Sequence, residues 1–323
     1  MRYRVLGRTG LRVSEIGHGL WGAGGWSGSD DAQSRRSLQM ALDAGVNFFD
    51  SAWAYGDGKS DSLLGELAHH NPGKTVYTAS KVPPKNNKWP ASPDDALHEV
   101  FPPEHIVDSA LRIREAMGIR TIDLLQLHVW DDGWAGDPSW VEAVEELKAR
   151  EVIRFFGISL NRWEPWNGTR AVRAGHIDAV QVIYNIFDQA PEDELFPACR
   201  EMDVGVIARV PLDEGSLTGN LTLETRFPAD DWRSGYFGPE NLPPTVERVE
   251  RLKRDLPPGA SLPATALRFI LSNPDVSTTI VGMRKPEHVA ENVAVSDAGP
   301  LDEATIARLR PHRWDRAPAP WSD

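Results

Sequence analysis

A single cysteine, Cys199, stands in a chain of 323 residues. No internal disulfide can therefore brace the fold, which fits a reducing compartment. Cys199 follows Phe196, Pro197 and Ala198 on an expected helix, and there it reads as a buried, inert thiol. Equally absent is any run of about 18 apolar residues, so no membrane-spanning helix is expected. The opening MRYRVLGRTG lacks the apolar core of a signal peptide. Positive charge is in deficit: 35 Lys and Arg against 47 Asp and Glu leave a formal net charge of −12. That balance argues against nucleic acid and anionic membranes as partners, while a local basic pocket remains able to hold an anionic cofactor. No G-x-G-x-x-G strand–turn–helix unit supports a Rossmann dinucleotide site. These absences leave a cytoplasmic protein of enzyme size acting on a small molecule.

What is present is a rhythm of apolar β runs and helical patterns. Residues 3–16 read as a β-hairpin around the turn-like Arg8-Thr9-Gly10. Strand patterns follow at IGHGLW (16–21), VNFFD (46–50), TVYTASK (75–81), IDLLQLH (122–128), VIRFFGIS (152–159), DAVQVIYN (178–185), VGVIARV (204–210) and STTIVG (277–282). Helical patterns lie between them. Asp30 or Asp31 is a cap for the first and Gly45 its terminator; Asp61 starts the second. Pro102-Pro103 opens a third that Gly118 closes, and Asp137-Pro138 opens a fourth. Further helices are expected at 163–174, after Ser261, near 286–294 and at 302–310, with APAPWSD as a loose tail. Eight strand–helix alternations predict an α/β fold, a (β/α)8 TIM barrel with an N-terminal hairpin and extra C-terminal helices, as a single domain over 1–323. The Gly/Pro-rich stretch between Pro211 and Pro243 is too long for an ordinary connection and reads as a loop over the barrel mouth.

In such a barrel, strand ends and the loops after them converge on one face. Asp50 ends the second barrel strand, Tyr55 lies on the loop after it, Lys81 ends the third and His128 the fourth. An acid, a phenol, an amine and an imidazole gathered there form a proton-transfer set. Singly, each has a plainer account: a loop aromatic, an ion pair at the barrel rim, a core histidine. A metal site is disfavoured, because Lys81 would repel a cation and no His-x-His or His-x-x-x-His spacing lies nearby.

The motif FDSAWAYGDGKSDSLLGE (49–66) resembles the signature of the aldo-keto reductase family, with Ser51 where Thr is usual and Asp61 where Glu is usual. The resemblance runs from YRVLGRTGLRVSEIGHG to VGMRKPEHVAEN, with several motifs in the right order. It implies NADPH-dependent reduction of an aldehyde or ketone. Tyr55 would donate the proton, Lys81 would lower the pKa of a phenol that ordinarily titrates near 10, Asp50 would hold Lys81, and His128 would orient the carbonyl. The resemblance also implies that Ser159, with Asn161 displaced by one position, and Gln181 bind the nicotinamide carboxamide. Arg209 occupies the place of the usual stacking aromatic, where a planar guanidinium can stack but also weighs on an oxidised ring. Gly215 to Thr218 would wrap the pyrophosphate. In VGMRKPEHVAEN, which includes Gly282, Arg284 would hold the 2′-phosphate with help from Lys285 and a helix N-terminus; His288, Glu291 and Asn292 complete the adenosine end. Of the 12 tryptophans, Trp21, Trp53, Trp89 and Trp130 are expected to line an apolar or sugar-stacking substrate pocket, and Trp140 and Trp163 to pack helix faces. A second function class is a nucleotide-binding, redox-sensing subunit with little turnover; a third is a metal hydrolase on the same barrel.

Overall fold

The apolar runs become strands, and all eight of the barrel runs pair as the alternation requires. The computed structural model describes residues 1–25 and 28–322. The strands are β1 (Tyr3–Val5), β2 (Arg12–Ser14), β3 (Ile16–Gly19), β4 (Phe48–Asp50), β5 (Tyr77–Val82), β6 (Ile122–Leu127), β7 (Ile153–Ser159), β8 (Ala179–Ile183), β9 (Gly205–Arg209) and β10 (Val276–Gly282). The helices are α1 (Asp31–Asp43), α2 (Lys59–His70), α3 (Leu97–Val100), α4 (Pro103–Met117), α5 (Pro138–Ala149), α6 (Thr169–Ala174), α7 (Leu195–Met202), α8 (Arg233–Tyr236), α9 (Leu242–Asp255), α10 (Leu262–Ser272), α11 (Pro286–Ala298) and α12 (Glu303–Leu309). Strands β3 to β10 close into a barrel in the order β10-β3-β4-β5-β6-β7-β8-β9. Every neighbouring pair in it is parallel.

The helix boundaries follow local chemistry. The Asp30 side chain accepts from the Gln33 amide at the start of α1, and Asp137 accepts from Ser139 with Pro138 at the first helical position of α5. Each satisfies an amide that the helix itself leaves unpaired. The second helix begins two residues before Asp61, because Gly58 at φ 85° makes the turn into it. The helix expected over 163–174 is only Thr169–Ala174: Trp163 sits at φ 58°, and Pro165 supplies no amide proton to continue a ladder. The amphipathic α9 was not anticipated.

β1 and β2 pair antiparallel, Tyr3 opposite Ser14, and close the end of the barrel at which the strands begin. Leu6, Leu11 and Val13 pack there against Phe48, Ala79, Leu124, Ala179, Ile207 and Ile280. At the opposite end, the segment after β9 carries its own small core of Trp163, Tyr236, Phe237 and Leu242, joined by Trp232 and Trp321. The C-terminal tail is therefore not loose. Trp321 packs against Trp163 and Tyr236, Ser322 is buried, and buried Arg316 binds both Asp188 and Asp213. Asp323 lies outside the described residues. Cys199 is buried, and burial pushes its thiol up to about 12, which leaves it unreactive near neutral pH. No described helix is long and apolar enough to cross a membrane.

Candidate active site

The strand register delivers the polar residues to one face. Lys81 stands opposite Gln126 across β5 and β6, and Ser159 opposite Gln181 across β7 and β8. Asp50 ends β4, and Arg209 ends β9. Lys81 and Asp50 are both fully buried, and the Lys81 ammonium donates to Asp50 Oδ2 at 2.5 Å and to the Ser51 carbonyl at 2.7 Å. The other Asp50 oxygen, Oδ1, accepts from Gln181 Nε2 at 2.9 Å and Gln126 Nε2 at 3.3 Å. A buried ion pair persists only when its remaining lone pairs are satisfied in this way. Burial alone would pull the Lys81 ammonium down; Asp50 and Tyr55 outweigh it and hold the pKa above the ordinary range.

Tyr55 lies on the loop after β4, its ring centroid 5.1 Å from the Lys81 ammonium. Two glycines set that position. A Cβ on Gly24 would lie 2.7 Å from the Tyr55 backbone, and Gly56, at φ 73°, would drive a Cβ to 2.1 Å from the Gly24 carbonyl oxygen. The loops after β3 and β4 thus press together in a way only glycine allows. The Tyr55 phenol is raised above its ordinary pKa: burial is the larger effect, and Lys81 and Arg209 work against it while Asp50 adds to it. The expectation of a depressed phenol pKa is corrected here, because Lys81 acts in the anticipated direction but desolvation exceeds it.

His128 follows β6, with its amide on the Val82 carbonyl. Its ring stands edge-on to Tyr55 at 5.6 Å and to Trp89 at 4.6 Å between centroids. Burial first, then the charges of Lys81 and Arg209, hold it well below the usual histidine range. The imidazole is neutral at working pH, with one N–H to donate and one bare nitrogen, and Nδ1 has no partner among the described residues.

Arg209 reaches into the same site. Its Nη2 donates to the Leu160 carbonyl at 2.9 Å, and its buried Nε has no partner among the described residues. Burial and the neighbouring Arg162 pull it down to about 10, so it stays cationic at neutral pH. Arg162 is paired with Glu214 at 2.8 Å and lies over the rings of Tyr236, Trp232 and Trp163. The turn Asp213–Thr218 departs from helical backbone at Glu214 and Gly215, and Ser216 donates to Asp213.

The remaining candidates separate. Gln181 has committed its amide nitrogen to Asp50 and Gln126, so what it offers a ligand is its carbonyl oxygen. Asn161 is corrected: its amide donates to the Ala91 carbonyl and Glu164 and accepts from the Ala91 amide, so it clamps the loop after β5. Trp130 is corrected too. It is fully buried, its indole N–H bonds Asp132, and it packs edge-on against Trp134 and Trp140; it belongs to the core. Trp53 is half-buried over Gly58. Trp21 and Trp89 are exposed at the mouth. Trp232, which sequence reasoning missed, meets Trp21 at 5.3 Å; no local pattern marks it. Gln126 was also missed, although a polar residue set among Leu124, Leu125 and Leu127 was a usable signal.

At β10, the Arg284 stem lies over Gly22, within 3.5 Å of where a Cβ on that glycine would stand. α11 begins at Pro286 with no side chain capping its amides. Lys285, His288 and Glu291 are exposed near its start and Asn292 is buried; a Cβ on Gly282 would meet open space. Cations beside free helix amides suit an anionic group. Gly17 to Gly22 match G-x-G-x-x-G by letter, yet they lead into the short turn Trp21–Ala23 and α1 starts only at Asp31, so no Rossmann unit forms. No cluster of three or more His, Cys, Asp or Glu suited to a metal occurs among the described residues. A cavity of about 180 Å³ lies between Trp163, Trp166, Asp193 and Arg316, and none of the four acid–base residues lines it.

Residues 15–313 match the model of the aldo/keto reductase family. The NADH-specific methylglyoxal reductase of Escherichia coli (strain K12) is 28% identical over 330 residues, which cover 95% of this chain and 98% of that protein. A probable voltage-gated potassium channel subunit beta of Oryza sativa subsp. japonica is 28% identical over 319 residues, 93% of each chain. Among solved structures, an aldo-keto reductase of Bacillus halodurans in its holo form superposes with a TM-score of 0.78 at 25% identity, with both chains fully covered.

Proposed function

We propose, from the premise that this chain belongs to the aldo/keto reductase family, that it reduces an aldehyde or ketone to an alcohol with NADPH. The observation that carries the reading is the buried Lys81–Asp50 pair beneath the Tyr55 ring, with a neutral His128 at the ring's edge. A bound reduced nicotinamide would supply the hydride to the carbonyl carbon. Tyr55 gives its phenolic proton to the carbonyl oxygen as negative charge develops there. A phenol held above its ordinary pKa stays protonated at neutral pH, which keeps the donor loaded. The Lys81 ammonium steadies the phenolate left behind, and Asp50, with Gln126 and Gln181, keeps that ammonium in place. His128 directs its single N–H at the carbonyl oxygen and fixes the angle of approach.

The cofactor's fit rests on the polar and charged groups at this end of the barrel. The Arg209 guanidinium, with its unpartnered Nε, has a planar face for the nicotinamide end. Ser159 and the Gln181 carbonyl suit a carboxamide. Gly282, Arg284 and Lys285, with the α11 N-terminus bearing His288, Glu291 and Asn292, suit the adenosine end. NADPH over NADH follows from Arg284 and Lys285, two cations that a 2′-phosphate would engage; the NADH-specific relative makes this the point to test. Trp21, Trp89 and Trp232 form the apolar mouth. The test is a panel of carbonyl substrates run with NADPH and with NADH, followed at 340 nm. Turnover faster with NADPH supports the reading; turnover with NADH alone overturns the cofactor assignment. The channel-subunit relative favours a second reading, a nucleotide-holding sensor, for which NADPH would bind without turnover of any carbonyl in the panel.

A further inference from the structure

Behind the acid–base set lies a second buried carboxyl that the mechanism does not use. Asp61, in the first turn of α2, is fully buried. Its Oδ1 accepts from the Ser80 hydroxyl at 2.7 Å, and its Oδ2 has no partner among the described residues. Ser80 directly precedes Lys81. Ser60, the neighbour of Asp61, shares a hydroxyl contact at 2.7 Å with Ser51 and donates to the Ala52 carbonyl at 3.2 Å. Ser51 is the residue after Asp50, and its carbonyl is the second acceptor of the Lys81 ammonium. The first turn of α2 therefore braces both halves of the Asp50–Lys81 pair from behind. The charged groups facing Asp61 are Lys81 from β5 and Asp50 from β4, and the hydroxyls facing it are Ser51 and Ser80.

We propose that Asp61 is a positioning residue whose ionisation sets how readily Tyr55 releases its proton. This rests on the reductase reading. When the phenol O–H gives its proton to the nascent alkoxide, negative charge passes to the phenolate oxygen beside Lys81. An ionised Asp61 places one more negative charge behind that same ammonium and opposes the phenolate; a protonated Asp61 does not. Burial raises the Asp61 carboxyl from 3.8 to about 6, against the Ser51 and Ser80 hydroxyls and Lys81, which favour the ionised form. The switch therefore falls just below neutral pH. The same shift has a sign in stability. The folded state holds this proton more tightly than the unfolded chain does, so the contribution of Asp61 is fully present below about pH 4 and is lost as pH rises through about 6.

The test is the pH profile of kcat at saturating NADPH and carbonyl for the wild type, Asp61→Asn and Ser80→Ala, with urea unfolding of each protein across the same range. Wild-type kcat should fall roughly three- to tenfold as pH rises through about 6. Asp61→Asn should lose that step and hold the low-pH rate. Ser80→Ala should move the step to higher pH, because the ionised carboxylate loses a donor. In unfolding, Asp61→Asn should gain on the wild type as pH rises from about 4 to about 7. A step that survives unchanged in Asp61→Asn, or a wild-type profile with no step, overturns the proposal. If Asp61→Asn does not fold, the Ser80→Ala shift decides alone, and an unmoved step overturns it. If no carbonyl is turned over at all, the reductase reading fails and the coupling falls with it, while unfolding still reports whether Asp61 titrates near pH 6.

Discussion

The two ends of the barrel follow opposite rules. At the end closed by the β1–β2 hairpin, the packing centres on an apolar cluster, Leu6, Leu11 and Val13 against Phe48, Ala79, Leu124, Ala179, Ile207 and Ile280, with the buried Ser14, Glu15 and Thr278 beside it each hydrogen-bonded or ion-paired. At the end where the strands finish, the barrel buries an ammonium, two carboxyls and two amides: Lys81, Asp50, Asp61, Gln126 and Gln181. The first end gains stability from apolar area removed from water. The second gives some of it up, since each buried polar group must find partners, and Asp61 Oδ2 and Arg209 Nε have none among the described residues. Damage to the first end should therefore appear in unfolding and damage to the second in turnover; a residue that serves both should register in both.

Lys81 is that residue, and Lys81→Met carries the largest expected effect. Removing one partner of a buried pair should cost about 3–5 kcal/mol of stability, read by urea unfolding, and should also slow turnover by orders of magnitude. An active variant of normal stability would break the contrast at its strongest point. Tyr55→Phe should lower kcat by roughly 10²–10⁴-fold, with NADPH affinity and the unfolding midpoint unchanged; wild-type kcat with hydride transfer rate-limiting would remove Tyr55 as the acid. At the hairpin end, Leu11→Ala should cost about 2–5 kcal/mol of stability with kcat/KM unchanged at temperatures where the protein stays folded. A matching loss of kcat/KM would mean that the two ends are coupled. The smallest effect is expected at Arg284, on the rim. Arg284→Ala should weaken NADPH by roughly 10- to 100-fold, by fluorescence titration, with NADH and saturated kcat little altered. Equal losses for both cofactors would assign Arg284 to loop shape.

The same contrast explains what could be read before the fold was known. The barrel was legible because apolar strands alternate with capped helices, and those signals are local: Asp30 at α1, Asp137-Pro138 at α5 and Gly118 after α4 all serve as their chemistry implies. Asp50, Tyr55, Lys81 and His128 were legible because strand ends converge in any such barrel. Trp130 was misplaced because a residue just past a strand end can turn to the mouth or to the helix layer, and the indole N–H went to Asp132 in the core. Asn161 was misplaced because its amide found the Ala91 backbone, from a loop far along the chain. The C-terminal tail read as loose because its composition is that of a linker, yet Trp321 packs there on Trp163 and Tyr236, and Arg316 just before it meets two buried carboxylates.

The sequence by itself determined the order of strands and helices, the candidates for acid–base work and the absence of a Rossmann unit, because each is marked by neighbours within a few positions. Only the tertiary structure decided how those residues are charged and held. Gln126 and Gln181 lie 55 positions apart yet share one Asp50 oxygen, a contact that follows from barrel register and closure. The direction of the Tyr55 shift was likewise settled by depth of burial against distance from Lys81. Loss of water and attraction between charges depend on what lies nearby in space, and their balance exists only once the barrel has closed.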